Sequence, residues 1–174
     1  MKDNITFSKI WEDGDIIELK IVCSSSVATI TSQIYVSDSL IDELICQIKQ
    51  FLDGNIEEGL WANEDKGNDS TACVSLRFLS KDKLGHINIE VFAELDDGGN
   101  FTEHNCCFFV GTEYGLLMSF CESLVCLKSH PVGYKISLND NLITYNSKHR
   151  LLGTKGRLPE YECEQFNGYI HYTA

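Results

Sequence analysis

The chain has 174 residues, 43% of them hydrophobic, with 14 Lys+Arg against 26 Asp+Glu for a net charge of −12. That length and apolar content suit one globular domain with its own core, and no apolar run reaches the roughly 18 residues that a membrane-spanning helix needs. Residues 1–110 hold 8 basic and 20 acidic side chains, whereas 111–174 hold six of each; so acidic a surface repels nucleic acid and anionic membranes and attracts a basic partner, unless it serves solubility alone.

The opening MKDNITFSKIWEDGD has no apolar stretch of the secretory type, so the expected location is cytoplasmic. The eight cysteines, Cys23, Cys46, Cys73, Cys106, Cys107, Cys121, Cys126 and Cys163, contain no C-x-x-C spacing. Most fall in apolar periodic segments, where a reduced Cys acts as a small hydrophobe.

In chain order, 4–12 is a candidate strand and Asp13-Gly14-Asp15 a turn. Segment 16–23 places Ile17, Leu19, Ile21 and Cys23 on one face, and 27–36 alternates in the same way with many β-branched residues. The period then becomes helical, with Leu40, Ile41, Leu44, Ile45, Ile48, Phe51 and Leu52 in one stripe. Ser37, Asp38 and Ser39 are competent N-caps, and Gly54 suits the left-handed position after the helix. Residues 55–70 read as a polar acidic loop. Segments 71–80, 86–95 and 101–110 read as a three-stranded meander with glycine-containing turns. A second helix follows, with Thr112 as cap, Glu113 in its first turn, and a stripe of Leu116, Leu117, Phe120, Cys121, Leu124, Val125 and Leu127 that Pro131 ends.

The order βββ-α-βββ-α predicts an α+β fold of two layers: an antiparallel sheet of about six strands with two amphipathic helices on one face. Residues 1–138 form this single domain. Residues 139–174 form a C-terminal extension, irregular or β-containing, that is packed on the domain or partly flexible. GYKISL, LITYN and NGYIHYT are short-strand candidates near and within it, and Lys148, His149, Arg150, Lys155 and Arg157 make a local basic patch.

No spacing in the chain points to catalysis, a metal or another cofactor. His104-x-Cys106-Cys107 lacks the second ligand pair of a zinc site. Cys121 and Cys126 share a helix face poorly. The acidic pairs Asp13/Asp15, Glu57/Glu58, Glu64/Asp65 and Asp96/Asp97 sit in loops and turns, where carboxylates stay solvated and ionised. Gly153-Thr154-Lys155-Gly156-Arg157 reads as a turn, since it does not follow a strand and open a helix as a phosphate loop does. Leu60-Trp61, inside an acidic segment, has two readings: an exposed interface anchor, or a pair tucked into the sheet edge.

The strands ending in IYVSD, the helix LIDELICQIKQFLDG, the strand VSLRFL, the strand GHINIEVFAEL after its Gly turn, and the last strand running into EYGLLMSFCESLVCL follow one another in that order. Over about 15–128 the chain resembles the WapI-type immunity proteins and related bacterial domains of polymorphic toxin systems. That resemblance implies a non-enzymatic protein that binds a cognate toxin and neutralises it. The charge fits a basic, nuclease-type toxin, because an acidic inhibitor steers to such a partner. The surfaces expected to meet it carry Glu57, Glu58, Trp61, Glu64, Asp65 and Asp69 in the acidic segment, Glu90 and Glu94 on the strand, and Asp96 and Asp97 at the hairpin. Neither nucleic acid nor membrane is an expected partner, and the chain is a monomer or homodimer. Two alternatives stand beside this reading. One is a structural or self-associating module that uses an outer sheet face with Phe92. The other is a small enzyme with a spatially assembled Cys/His or carboxylate site.

Overall fold

The β-branched alternation of the first 37 residues builds a three-stranded antiparallel meander: β1 (Asn4–Asp13), β2 (Ile16–Ser24) and β3 (Thr29–Ser37). A computed structural model describes residues 2–65, 72–80, 82–95 and 104–139, with the backbone of short strands at 144–145, 165–166 and 169–170. Asp13 pairs with Ile16 across a two-residue turn, and Gly14 supplies its positive φ of 55°. Ile5 and Phe7, Ile17 to Cys23 on alternate residues, and Ile34 and Val36 form the buried face.

Helix α1 (Asp38–Leu52) begins where Ser37 Oγ accepts the Leu40 N–H at 3.3 Å. It ends in a Schellman motif: Gly54 (φ 72°) donates to Phe51 O and Asn55 to Gln50 O. Of the stripe that the periodicity predicts, Ile41, Leu44, Ile45, Ile48 and Phe51 are buried, while Leu40 and Leu52 are half-buried at its margin.

The segment expected to be an acidic loop holds a strand, β4 (Glu58–Ala62), which pairs with β5 (Val74–Ser80). Only two of its residues face inward, Gly59 and Trp61, so its hydrophobic alternation is too short to read. A Cβ on Gly59 would lie 3.1 Å from Phe78 Cδ2 and 3.2 Å from the Gln47 carbonyl, so glycine permits α1 to cross close over the strand. The meander continues through β6 (His86–Leu95) and β7 (His104–Glu113) in register.

Helix α2 (Tyr114–Ser129) buries Leu117, Phe120, Cys121, Leu124 and Leu127, while Val125 is exposed. Thr112 does not cap it. Glu113 holds the cap position without a side-chain bond, and the first helical N–H, on Tyr114, donates to Gly85 O at 2.9 Å. The Thr112 hydroxyl is turned instead to Asn139.

After α2, β8 (Tyr134–Ser137) returns beside β1, and β9 (Thr144–Tyr145) pairs with β8. The short strands β10 (Gln165–Phe166) and β11 (Tyr169–Ile170) pair with each other. The α+β class, antiparallel pairing and two amphipathic helices therefore hold, but the described strands divide differently from the expected single sheet. One sheet runs β3-β2-β1-β8-β9 and another β4-β5-β6-β7. The division has a simple cause. The second edge of β1 is taken by β8, and α1 carries the chain away from β3, so β4 starts a new meander.

The apolar faces of both sheets and both helices meet in one core. Phe7 lies at its junction, 6.5 Å from the Trp61 ring and edge-on to Phe120 at 5.5 Å. Asn139 stitches the sheets together. Its Nδ2 donates to Asp3 O (2.7 Å) and Gly111 O (2.9 Å), and its Oδ1 accepts from Thr112 Oγ1 (2.8 Å). Lys9 is buried in the first sheet, and its Nζ donates to Lys128 O and His130 O at the end of α2 and pairs with Glu12 at 2.7 Å. A cation thus meets the negative end of that helix.

Candidate functional site

Strand alternation gives the four-stranded sheet an outer face, and register sorts its side chains into rows. Leu60, Arg77, Glu90 and Phe109 form one row across all four strands, with Glu58, Leu79, Asn88 and Gly111 beside it. Leu60 is 59% exposed and Phe109 50%. Three strand spacings separate them, roughly 14 Å.

Between these apolar ends lies an ion-paired centre. Arg77 donates from Nη2 and Nε to Glu58 Oε2 at 2.6 and 3.0 Å, and its Nη1 stands 4.0 Å from Glu90 Oε1. The hydrogen bond and charge of Glu58, with the charge of Glu90 behind them, hold the guanidinium protonated above its ordinary range. Two carboxylates therefore share one cation, and the cluster keeps a net charge of about −1. On the edge strand, Gln47 of α1 accepts the Leu60 N–H at 3.3 Å, which satisfies one outward backbone donor.

The acidic residues singled out in the sequence divide among several places. Glu57, Glu58 and Asp65 are exposed, while Glu64 and Glu90 are half-buried. Arg77 brings Glu58 and Glu90 together; Glu64 and Asp65 lie past the other end of β4, where Glu64 O accepts from Cys73 Sγ at 3.1 Å. Glu94 is not part of an open acidic face. It is 4% exposed, and its Oε2 accepts the Cys73 N–H at 2.9 Å. Trp61 is not a surface anchor. It is 3% exposed, and its Nε1 donates to Leu40 O at 2.9 Å, so of its two readings the structure takes the buried one, while Leu60 faces out. Asp69, Asp96 and Asp97 lie outside the described residues, as do the basic patch from Lys148 to Arg157 and the Gly153–Gly156 turn.

Arg77 and Phe109 are members of the row that acidic composition does not mark. Strict alternation in VSLRFLS and CCFFV puts each on the face opposite the buried Leu76, Phe78, Phe108 and Val110.

The cysteines argue in the opposite direction from an activated nucleophile where a shift is resolved. Burial pushes the Cys23 thiol up to about 12 and Cys121 to about 11, and it raises Cys106 as well. Among the described residues no group of three or more His, Cys, Asp or Glu is placed to hold a metal ion, and no helix is long and apolar enough to cross a membrane.

No protein-family model and no curated protein matches the chain. Among solved structures the chain is similar to a CdiA-CT/CdiI toxin and immunity complex from Enterobacter cloacae, at 9% identity over 70% of this chain and 97% of the matched chain, with a TM-score of 0.40. A likeness of that size assigns the chain to no family.

Proposed function

We propose that the chain is a non-enzymatic binding protein that neutralises a cognate bacterial toxin by direct contact through the outer face of the β4–β7 sheet. The observation that carries this reading is the row Leu60–Arg77–Glu90–Phe109: two exposed apolar side chains flank a paired but net-acidic centre. Protein interfaces concentrate their energy in such apolar anchors, and a surrounding polar rim sets orientation and partner charge. A toxin is the specific partner because the chain resembles immunity proteins in its element order. A basic toxin complements both the net charge of −12 and the local excess of carboxylate.

The test is co-purification with the product of the neighbouring reading frame, followed by binding kinetics. Leu60→Asp and Phe109→Asp should each raise Kd by roughly a hundredfold, mostly through faster dissociation, because a desolvated anchor becomes an unpaired charge. Raising salt should instead slow association. A complex untouched by both substitutions would overturn this choice of surface. Failure to bind any neighbouring product would overturn the toxin as partner.

A further inference from the structure

The first sheet carries a second exposed feature that the residue pattern alone would have buried. Ile5, Phe7 and Lys9 alternate into the core, and Trp11 continues their parity. The pairing of β1 with β2 slips between Lys9 and Trp11, leaving Ile10 as the extra residue of a bulge. The bulge reverses the alternation, so Trp11 pairs with Glu18 on the outer face and stands 44% exposed. Bulges break ladder bonds and re-aim side chains, and they concentrate beside functional sites.

Trp11 is not alone there. The register row runs Trp11, Glu18, Tyr35 across β1, β2 and β3. Tyr35 is 54% exposed, and the two rings meet over this row at 6.4 Å and 85°. They form two walls at right angles with a carboxylate between their strands. Asp13 and Asp15, both exposed, lie at the adjoining turn; among the described residues the face also carries the exposed Lys20, one row away. Glu12 is already paired with Lys9.

We infer that Trp11, Tyr35 and Glu18 form a docking site for an arginine side chain on a basic polypeptide partner. A guanidinium stacks on an aromatic face while its N–H groups bond a carboxylate, a combination that an ammonium matches poorly. The local charge, three carboxylates around one aromatic corner, selects a cationic occupant over an apolar or acidic one. This site is on the other sheet from Leu60 and Phe109, so it stands or falls separately from the proposed toxin-binding face.

The experiment is calorimetric titration of the full chain with hexa-arginine and hexa-lysine peptides at low salt. The peptides carry equal charge, so an undifferentiated acidic surface binds them alike. The expected result is about fivefold tighter binding of the arginine peptide. That preference should fall to near unity in Trp11→Ser, Tyr35→Ser and Trp11→Leu, and survive in Glu43→Gln, whose site is exposed on α1. Trp11→Leu keeps apolar area without a π face, and circular dichroism confirms that each variant is folded. Equal affinity for the two peptides overturns the inference, as does a preference that survives loss of either ring. A wild-type dimer that Trp11→Ser dissolves would assign the patch to self-association and also overturn it.

Discussion

Trp61→Phe separates a core role from a surface role at the residue whose exposure the sequence left open. The substitution removes the indole N–H that donates to Leu40 O at 2.9 Å, and it shrinks a side chain that is 3% exposed between Phe7 and α1. The hydrogen bond contributes about 1 kcal/mol net. Replacing indole by phenyl vacates about 40 Å³, which at about 24 cal/mol per Å³ adds another ~1 kcal/mol. The sum, about 2 kcal/mol, is a large part of the 5–15 kcal/mol that holds an ordinary domain folded. With a urea m-value of about 1.5 kcal/mol/M, the midpoint should fall by roughly 1.3 M. Far-UV circular dichroism is the proper signal, because the substitution removes one of the chain's two tryptophans. Fluorescence supplies a second reading: Trp61→Phe should leave only the red-shifted emission of the exposed Trp11. A midpoint shift below about 0.3 M, with weakened partner binding, would refute the buried placement and restore Trp61 as an interface anchor.

Asn139→Ala removes three side-chain hydrogen bonds, two of them to β7 of the other sheet and one to Asp3 beside β1, and because the site is half-buried, water recovers part of the loss. A destabilisation of about 1.5–3 kcal/mol is expected in chemical denaturation. Gly59→Ala forces a methyl against Phe78 and the Gln47 carbonyl and should destabilise by about 1–3 kcal/mol in the same assay. Among the described cysteines, peptide mapping after iodoacetamide treatment at pH 8 should find the exposed Cys46 and Cys107 alkylated first. Cys23 and Cys121, with thiols raised to about 12 and about 11, should react only on unfolding. Asp82 is held below its ordinary value of 3.8, chiefly by its hydrogen bond with His86. Its carboxylate therefore favours the folded chain above pH 3.8, and that contribution is lost as pH falls through the lower folded value. Asp82→Asn should flatten the acid side of the stability profile, measured by thermal melts across pH.

The parts of the fold that were legible are those where one period runs long enough to dominate. Helix α1 has stripe, cap and Gly54 stop all in one reading, and the structure keeps each of them. Strand β6 alternates over ten residues and pairs on both sides as expected. Strand β4 was hidden because Gly59 contributes no hydrophobic signal and Trp61 only one residue of it. The separation into two sheets was hidden for another reason: alternation says which face is buried but not which strand lies alongside. The neighbour of β1 is β8, more than 120 residues along the chain, and three residues of pairing carry that contact. At the candidate site, acidic composition drew attention to Glu58 and Glu90 but also to Glu94, whose carboxylate serves a backbone donor. Charge type alone does not distinguish a solvated carboxylate from one used in folding.

That distinction bears on how acidity works here. Several carboxylates are committed within the molecule: Glu12 to Lys9, Glu58 to Arg77, Asp42 to Lys128, Glu94 to the Cys73 N–H and Asp3 to the Gly111 N–H. Pairing with Lys or Arg leaves the net charge of −12 intact, so an approaching cationic partner still meets the same attraction at distances near the Debye length, about 8 Å at physiological salt. At contact distance the picture differs, because a carboxylate already holding a cation contributes less to a new bond than one that is solvated. In a complex of the kind proposed, long-range charge would set the encounter rate, while exposed apolar and aromatic side chains would set its lifetime. On both sheets those side chains share a register row with a carboxylate: Phe109 beside Glu90, with Leu60 beyond Arg77, and Trp11 and Tyr35 on either side of Glu18. The repeated arrangement has one physical sense. An apolar wall lowers the local dielectric and so strengthens whatever ionic contact the neighbouring carboxylate makes with an incoming cation.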